Sequence, residues 1–448
     1  MPLTGKHIHF MGIGGIGVSA LAEMALAEGA VVSGCDRSPN ELTEKFLAKG
    51  IEVEIGHDPG HAARADLLVH TSAVPEDHPE LRAAGSRRES RGRFLARFLS
   101  ARPSCGVCGT HGKTTTSWLL AHILIQAGED PAVFIGGLAP ELREGNCRRG
   151  AGPFVAELDE SDESFLLPKL KMALVTNIES DHLAHYRSDA ALFAAFDRFA
   201  GGVAEDGLLI AGIDNPGAAA LLERHRGAKL SFGFSPEAEI RAEERAGRFR
   251  VFRSGRDLGD FRLPLPGRHN IRNALAALAA SLEWGVAPEA IRPALARARG
   301  VNRRLERLGR LGSAVLYSDY AHHPTEVEAS LAALRETHGG PLLTVFQPHL
   351  YTRTRDYAEA FGQALAKSDA LILADIYPAR EEPIAGVSSR LILEAAGKTN
   401  PGIRGPFALA RAAAEASARA GDFAAVVFMG AGDIDEAARG LAAGEGKG

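Results

Sequence analysis

The sequence predicts an α/β protein of three consecutive domains, each built on a mainly parallel sheet with helices on its faces. Short apolar runs alternate with helical patterns along the chain, as expected for parallel sheets. Two glycine-rich turns each follow a strand and precede a helix. The length of 448 residues also suggests roughly three domains. We expect a Rossmann-like domain at residues 1–100, a P-loop-type domain at 101–303 and a second Rossmann-like domain at 304–448.

Composition narrows the class of protein. The chain is 45% hydrophobic and 24% charged, as in ordinary globular proteins, and its net charge of −5 argues against nucleic acid. It lacks both a membrane-length apolar run and a signal-peptide core, so we expect a cytoplasmic protein. Four cysteines are too few for a disulfide scaffold, and Cys105 and Cys108 are interpreted as buried strand thiols. The basic run at 87–91 is interpreted as a solvated face or linker.

The first segment carries a dinucleotide-type fingerprint. A strand at 7–11 leads into Gly-Ile-Gly-Gly-Ile-Gly at 12–17, then a helix to Gly29 and a strand that ends on Asp36. This pattern predicts a Rossmann-like domain, but the same turn can hold any diphosphate. A further strand is predicted at 67–73. NAD therefore stays open as one ligand among several.

The second segment contains a loop suited to a nucleotide triphosphate, at residues 109–116. Its glycines let several N–H groups point at one anion, and Lys113 can contact the terminal phosphates. Thr114 offers a hydroxyl to Mg²⁺, and a helix follows that ends near Gly128. Val107 stands where the strict pattern has glycine. Further strands are predicted at 154–157, 172–177 and 207–211, followed by an alanine-rich helix at 274–282.

Acidic residues follow the strand that ends at Glu157. Asp159, Glu160 and Asp162 offer the oxygen donors that Mg²⁺ prefers, although a solvated loop or an acidic helix start is the alternative. His182 lies just past the next predicted strand, where ligands gather in parallel sheets.

The third segment has strands predicted at 314–317, 342–346, 370–373 and 424–429, and a helix at 408–420. Pro324 suits the first turn of a helix. His322 and His323 are adjacent and must point to different faces, which argues against a shared metal. Arg353 can form a fork to a carboxylate, although surface charge is the alternative for Arg353 and Arg355.

Together these motifs resemble the Mur ligases, the ATP-dependent amide-forming enzymes of peptidoglycan synthesis. The resemblance covers essentially the whole chain and is carried by residues 12–17, 109–115, 157–162, 176–182, 269–273, 319–326 and 346–351. The last two motifs resemble the members that add L-alanine. The resemblance implies a reaction that uses ATP and two Mg²⁺ ions. It joins L-alanine to the carboxylate of UDP-N-acetylmuramate through an acyl phosphate.

The resemblance also implies roles for individual residues. The UDP-sugar is expected at Gly12, Gly14, Gly15, Ile16, Gly17, Asp36, His57, Ser72 and Ala73; ATP at Gly109, Thr110, His111, Gly112, Lys113, Thr114, Thr115, Asn270, Asn273, Arg304 and Asp319; the amino acid at Tyr320, His322, His349, Tyr351 and Arg353; metal at Thr114, Glu157 and His182; and catalysis at Lys113, Glu157, His182 and Arg353. The expected partners are the three small substrates, without nucleic acid or membrane, in a monomer or homodimer.

Two departures from the family pattern stand out. Several Mur ligases carry a carbamylated lysine on the helix after the Asp-His motif, but residues 190–199 contain no lysine, as expected for the alanine-adding branch. Leu350 stands where many relatives have arginine, which favours Arg353 as the carboxylate ligand. Three alternatives stay open: a recycling ligase that attaches a whole tripeptide, an NAD-dependent dehydrogenase, and a nucleotide-gated binding protein without chemistry. The sequence does not separate alanine from glycine or serine.

Overall fold

The computed structural model describes residues 3–71, 73–142, 144–180, 186–245, 247–379, 381–397 and 402–445. The chain divides into two compact units. The first unit contains Met1–Pro264 and Ile271–Arg299, and the second contains Leu265–Asn270 and Gly300–Gly448.

The first sheet of the first unit is parallel throughout, in the strand order β3-β2-β1-β4-β5. Its strands are β1 His7–Met11, β2 Val31–Asp36, β3 Glu52–Ile55, β4 Leu67–His70 and β5 Arg88–Ser90. The order reverses at β1, and ligands bind at such switch points beyond the carboxyl ends of the strands. The glycine turn at 12–17 follows β1 directly, so it lies at this crevice.

The second sheet of the first unit has ten strands, in the order β15-β14-β13-β12-β11-β10-β6-β9-β7-β8. Its strands are β6 Ser104–Cys108, β7 Ala132–Phe134, β8 Cys147–Arg148, β9 Phe154–Glu157, β10 Leu170–Val175, β11 Val203–Gly212, β12 Ala228–Gly233, β13 Ile240–Arg245, β14 Arg248–Arg253 and β15 Arg256–Phe261. In sheet order, the seven neighbouring strands β13-β12-β11-β10-β6-β9-β7 pair in parallel. The β7–β8 pair and the β13–β14–β15 meander are antiparallel. The antiparallel meander is an addition to the parallel pattern that the sequence indicates.

The helices of the first unit cover the two sheets. They are α1 Ile16–Ala27, α2 Glu41–Ala48, α3 Pro59–Arg64, α4 Pro79–Ala84, α5 Arg91–Ser100, α6 Lys113–Gln126, α7 Asp189–Gly201, α8 Pro216–Arg224, α9 Arg268–Glu283, whose first residues belong to the second unit, and α10 Pro288–Arg297. The start of α9 at Arg268 corrects the expected start at residue 274, because the polar residues before the alanines are already helical.

The second unit contains a six-stranded sheet in the order β16-β17-β21-β18-β19-β20. Its elements are β16 Glu306–Leu311, β17 Ala314–Asp319, α11 Pro324–Thr337, β18 Leu342–Phe346, α12 Tyr351–Leu365, β19 Ala370–Ala374, α13 Arg390–Gly397, β20 Ile403–Phe407, α14 Leu409–Arg419, β21 Ala425–Met429 and α15 Ile434–Glu445. Only the β16–β17 pair is antiparallel within this sheet's described pairings.

The α/β class with mostly parallel sheets is therefore confirmed, while the exact domain boundaries stay a prediction. All four cysteines are buried and free, and Cys105 and Cys108 lie in β6 as expected. Among the described residues, none of the helices is both long and apolar enough to span a bilayer.

Candidate functional site

The lysine loop, residues 109–116, runs from the end of β6 into the first turn of α6. Gly112 precedes the helix with φ +80°, and a Cβ there would lie 2.4 Å from Asn273 Oδ1. Gly109 has φ +126°, and its Cβ would lie 2.3 Å from Thr176 Oγ1. Both positions therefore need glycine for conformation and for space. The free N–H groups of a helix start favour an anion at this place.

The segment after β10 holds the lysine loop in place. Thr110 N donates to Asn177 O at 3.1 Å, and His111 N donates to Asn177 Oδ1 at 2.9 Å. His111 O accepts from Thr176 Oγ1 at 2.7 Å, and Glu179 N donates to Thr110 Oγ1 at 2.8 Å. The lysine loop and residues 176–179 thus form one hydrogen-bonded network, which holds the loop in position. His182 lies outside the described residues.

The Lys113 side chain is held by hydrogen bonds within the same loop and to the neighbouring acidic segment. Its Nζ donates to Gly109 O at 2.7 Å, to Thr110 O at 3.2 Å and to Glu160 Oε1 at 2.8 Å. Burial opposes the charge, but the carboxylates of Glu160 and Asp159 raise the pKa of Lys113 above its ordinary value. The side chain is therefore a permanent cation at neutral pH, and Glu160, 1% exposed, is its counter-ion.

Glu157, the last residue of β9, is oriented by the backbone of Gly136. Glu157 Oε2 accepts from Gly136 N at 2.7 Å, and a Cβ at Gly136 would lie 2.6 Å from Glu157 Oε1. Gly136 thus leaves space for the Glu157 carboxylate and orients it. Thr114 is buried in the first turn of α6. A hydroxyl and a carboxylate are the hard oxygen donors that Mg²⁺ prefers.

The glycine turn, residues 12–17, forms the start of α1. Gly12 N and Ile13 N both donate to Cys35 O, and Gly14 N donates to Asp36 Oδ2 at 2.8 Å. A Cβ at Gly14 would lie 2.5 Å from Asn40 Nδ2. Gly15 caps α1 without a side-chain hydrogen bond, and Ile16 is its first residue. The turn is thus a second helix start suited to an anion.

The other residues expected near the UDP-sugar are spread around the first sheet. His57 Nδ1 lies 3.2 Å from Cys35 Sγ, and burial lowers the pKa of this histidine. Ala73 N donates to Thr71 Oγ1 at 3.3 Å, in the loop after β4. Ser72 lies outside the described residues.

Arg91 is a functional candidate that the sequence analysis missed, because the run at 87–91 was interpreted as a face or linker. A Cβ at Gly17 would lie 2.6 Å from Arg91 Nη1. The same guanidinium lies 3.3 Å from Asp159 Oδ2 and 3.7 Å from Asp162 Oδ2. Arg91 therefore joins the glycine turn to the acidic segment, a long-range contact that local sequence patterns do not reveal.

In the second unit, Asp319 is buried at the end of β17. It accepts from Leu305 N at 2.8 Å, Ala321 N at 2.7 Å and Ser330 Oγ at 3.2 Å. Burial raises the pKa of Asp319 to about 6, while Arg304 opposes this rise. The Asn270 side chain, in the same unit, donates to Pro266 O at 2.7 Å.

Five residues are expected to bind the amino-acid substrate, and four of them lie close together in the second unit. The rings of Tyr320 and His322 are 5.2 Å apart, and those of His322 and His349 are 6.1 Å apart. Arg353 Nη1 lies 3.4 Å from His349 Nδ1. The Tyr377 ring, which the sequence analysis did not name, stacks on His349 at 5.8 Å. A cation lined by aromatic rings suits a small amino-acid carboxylate.

The two residues after His349 shape the entry to α12. Leu350 precedes the helix with φ +73°, a strained conformation for a side chain with a Cβ, and Tyr351 is the first helical residue. His323 faces away from His322 and contacts the Tyr357 ring at 5.1 Å, as their adjacency predicts.

Family comparisons match all three segments. The chain matches the Mur ligase family catalytic domain over residues 7–102, the Mur ligase middle domain over 107–281 and the Mur ligase glutamate ligase domain over 303–432. The chain belongs to the Mur ligase family. This finding confirms the resemblance carried by the motifs.

Curated relatives extend the match to the whole length. A UDP-N-acetylmuramate–L-alanine ligase of Kineococcus radiotolerans is 42% identical over 444 residues, covering 95% of this chain and 93% of the relative. An enzyme of the same name from Thiobacillus denitrificans is 41% identical and covers 97% and 98%. Among solved structures, the UDP-N-acetylmuramate–alanine ligase of Thermotoga maritima has a TM-score of 0.85 at 28% identity, covering 99% of both chains. A murein peptide ligase of Psychrobacter arcticus has a TM-score of 0.72 at 24% identity, covering 98% of both chains, and shares the fold.

Proposed function

We propose that this Mur ligase joins L-alanine to the carboxylate of UDP-N-acetylmuramate and uses ATP through an acyl phosphate. The observation that carries the proposal is the lysine loop at the start of α6, with Glu157 and Glu160 from the neighbouring strand end beside it. Relatives that are 40–42% identical over most of the chain bear the name of this ligase.

The reaction needs activation of the acid. A carboxylate does not react with an amine at neutral pH, because the leaving group would be oxide. Transfer of the γ-phosphoryl group of ATP to the muramoyl carboxylate forms an acyl phosphate and ADP. The α-amine of L-alanine attacks the activated carbonyl, and inorganic phosphate leaves with the C–O bonding pair. The amine proton passes to solvent.

Lys113 contributes charge and position to this transfer. Its raised pKa keeps the ammonium protonated, and its tie to Glu160 holds it at the loop. On binding of ATP, we expect the ammonium to exchange contacts within the loop for the terminal phosphates. A fixed cation stabilises charge that develops on the transferring group.

Magnesium is expected to bind at Thr114 and Glu157, whose oxygen donors fit the ion. When bound, Mg²⁺ neutralises phosphate charge and so assists phosphoryl transfer. Gly136 orients the Glu157 carboxylate through its N–H group. We further propose a second ion at His182, on the strength of the motif at residues 176–182.

The amino acid is proposed to bind at Tyr320, His322, His349, Tyr351 and Arg353. Arg353 supplies a forked donor for the carboxylate of alanine, in place of the arginine that many relatives have at residue 350. In the same proposal, Asn270, Asn273, Arg304 and Asp319 contact ATP. We propose that the enzyme works as a monomer or homodimer, without nucleic acid.

The test is a phosphate-release assay with ATP, Mg²⁺, UDP-N-acetylmuramate and L-alanine. Release is expected only when all four are present. Parallel reactions with glycine, L-serine and the tripeptide acceptor compare the alternatives directly. A faster rate with the tripeptide would assign the recycling reaction, and tight NADH binding without UDP-sugar binding would favour a dehydrogenase.

A further inference from the structure

A second group of metal-type ligands lies in the first sheet, apart from the lysine loop. It consists of His9 on β1, Cys35 on β2, His61 on α3 and Glu80 on α4, and we call it the β1–α4 cluster. All four residues are buried, with His9 and His61 each 3% exposed and Cys35 and Glu80 fully buried. One donor atom from each residue lies within 4.8 Å of all the others.

The spacing is close to that of a tetrahedral metal site. A zinc ion with bonds of about 2.0–2.3 Å separates its ligand atoms by about 3.3–3.8 Å. Glu80 Oε1 lies 3.4 Å from His9 Nε2, 3.1 Å from His61 Nδ1 and 3.6 Å from Cys35 Sγ. The longest separation in the β1–α4 cluster must shorten by about 1 Å, within reach of small side-chain rotations.

In both imidazoles one nitrogen lies close to a side chain outside the cluster and the other faces the cluster, an arrangement that is usual for metal-bound histidines. His9 Nδ1 hydrogen-bonds Ser33 Oγ at 2.9 Å, and its Nε2 faces the cluster. This buried Nε2 lies 3.4 Å from Glu80 Oε1 inside the cluster. His61 Nε2 lies 3.0 Å from Glu54 Oε2, which leaves Nδ1 directed at Glu80.

The donor set selects the class of metal. Imidazole and thiolate donors suit zinc and related transition ions, whereas Mg²⁺ prefers oxygen donors throughout. We propose that His9, Cys35, His61 and Glu80 bind one divalent transition metal of the zinc class, separately from the magnesium site. The thiol proton of Cys35 is released to solvent on binding, and the resulting thiolate bonds the metal.

Such an ion would join four elements that are otherwise linked only by packing and hydrogen bonds. Cys35 directly precedes Asp36, whose carboxylate accepts from Gly14 in the glycine turn. His57, expected near the UDP-sugar, also lies 3.2 Å from Cys35 Sγ. The metal would therefore stabilise the end of β2 next to the proposed UDP-sugar site, and it would take no part in the reaction.

The direct test is a titration of the full chain, first freed of metal by a chelator, with Co²⁺ in the presence of excess Mg²⁺. We expect one equivalent to produce a thiolate-to-cobalt charge-transfer band and the strong visible bands of tetrahedral cobalt. Zn²⁺ should then remove these bands by competition. The absence of a thiolate band in the unaltered protein would overturn the proposal, whatever the variants do.

Matched variants assign the ligands. Loss of a residue that only orients a ligand costs about 10–100-fold in affinity, so Cys35→Ala should weaken zinc binding by about 100-fold or more. Cys147→Ala, which also removes a buried free thiol, should leave the affinity unchanged. His61→Ala should weaken binding as well, whereas His122→Ala, at another buried histidine that contacts a carboxylate, should not.

A thermal readout separates this site from the reaction. Zn²⁺ should raise the Tm of the unaltered protein and of Cys147→Ala, but not the Tm of Cys35→Ala. A cobalt spectrum that survives unchanged in Cys35→Ala would overturn the assignment. Phosphate release measured on the same samples tests the ligase proposal separately, because the β1–α4 cluster contains none of the residues proposed to contact ATP, the UDP-sugar or the amino acid.

Discussion

The glycine turn at 12–17 and the lysine loop at 109–116 have the same backbone plan but opposite electrostatics. Each follows a buried parallel strand and opens a helix without a side-chain cap. In the glycine turn, an acid is bound to the loop, because Gly14 N donates to Asp36. In the lysine loop, a cation is bound inside it, because Lys113 pairs with Glu160.

This difference supports the proposal that the glycine turn and the lysine loop bind two different phosphorylated ligands, of which only the second reacts. The glycine turn offers mainly backbone donors, which suits a diphosphate that is gripped and does not react. The lysine loop adds the Lys113 cation and, from the neighbouring strand, the Glu157 carboxylate of the type that binds Mg²⁺, which suits a phosphoryl group that is transferred. Arg91 lies between them, next to Gly17 and Asp159.

The largest expected effect comes from Lys113→Ala. Removal of a fixed cation from the transferring group should lower kcat for phosphate release by about 100- to 1,000-fold. The variant also leaves the buried Glu160 without its cation, which should cost about 3–5 kcal/mol in the free energy of unfolding. Steady-state phosphate release and urea unfolding measure the two effects.

Two controls separate charge from stability in the lysine loop. The double variant Lys113→Ala/Glu160→Gln should recover part of the stability and none of the activity. Lys49→Ala removes another paired lysine, bound to Glu23 and Glu144, and should leave phosphate release unchanged. Full activity of Lys113→Ala would contradict the contrast between the two loops.

The next effect tests whether the lysine loop needs glycine for space as well as conformation. Gly112→Ala should lower the free energy of unfolding by about 2–4 kcal/mol, from left-handed strain and contact with Asn273. Gly128 has a similar φ of +85° but nothing within 4 Å of its Cβ position. Gly128→Ala should therefore cost only about 1–2 kcal/mol. Equal losses in urea unfolding would show that the Asn273 contact has no energetic weight.

A smaller effect is expected at the glycine turn. Asp36→Asn replaces a charge-assisted hydrogen bond to Gly14 with a neutral one, a difference of about 1 kcal/mol. The KM for UDP-N-acetylmuramate should rise by about five- to tenfold, with an unchanged KM for ATP. Asp66→Asn, at a carboxylate that accepts from His7 N at the other end of β1, is the matched control. A lower KM for the UDP-sugar would mean that Asp36 competes with the diphosphate.

The smallest effect concerns Asp159, which forms an ion pair with Arg91 and is influenced by the charge of Lys113. Burial opposes its ionisation, but Arg91 and Lys113 lower the pKa of Asp159 to about 2. An aspartate in the unfolded chain has a pKa of about 3.9. The stabilisation that results from the lowered pKa of Asp159 is therefore present above that pH and is lost as the pH falls towards 2. Asp159→Asn should therefore lose less stability than the unaltered protein over this range. If the free energy of unfolding, measured with urea, fell equally with pH in both proteins, the pairing of Asp159 with Arg91 would be contradicted.

The regular elements were largely predictable because their signals are local. The strands at 7–11, 154–157 and 342–346 are short apolar runs between turns, and the helix after Lys113 ends at Gln126, two residues before the predicted Gly128. The antiparallel meander at 240–261 was not predicted. Its buried residues, such as Phe249 and Val251, alternate with exposed arginines and give no apolar run.

The candidate site was predictable in part for the same reason. Lys113, Glu157 and Asp36 lie at strand ends whose neighbours along the chain identify them. The contacts of Glu160 with Lys113, of Arg91 with Asp159 and of Tyr377 with His349 are not predictable in this way, because a long-range contact leaves no mark on local spacing. The β1–α4 cluster is the clearest case, since its members lie between residues 9 and 80 and no metal-ligand spacing joins them.

The amino-acid sequence by itself determined the fold class, the two glycine-rich turns and the membership of the Mur ligase family, because backbone conformation and hydrophobic pattern are encoded over a few neighbouring residues. Only the tertiary structure decided which partner each charged side chain meets: Lys113 meets Glu160, Arg91 meets Asp159, and Asp36 accepts from the Gly14 N–H group. The reason is physical, since the energy of a charged contact depends on distance and burial in the folded chain, and separation along the chain determines neither.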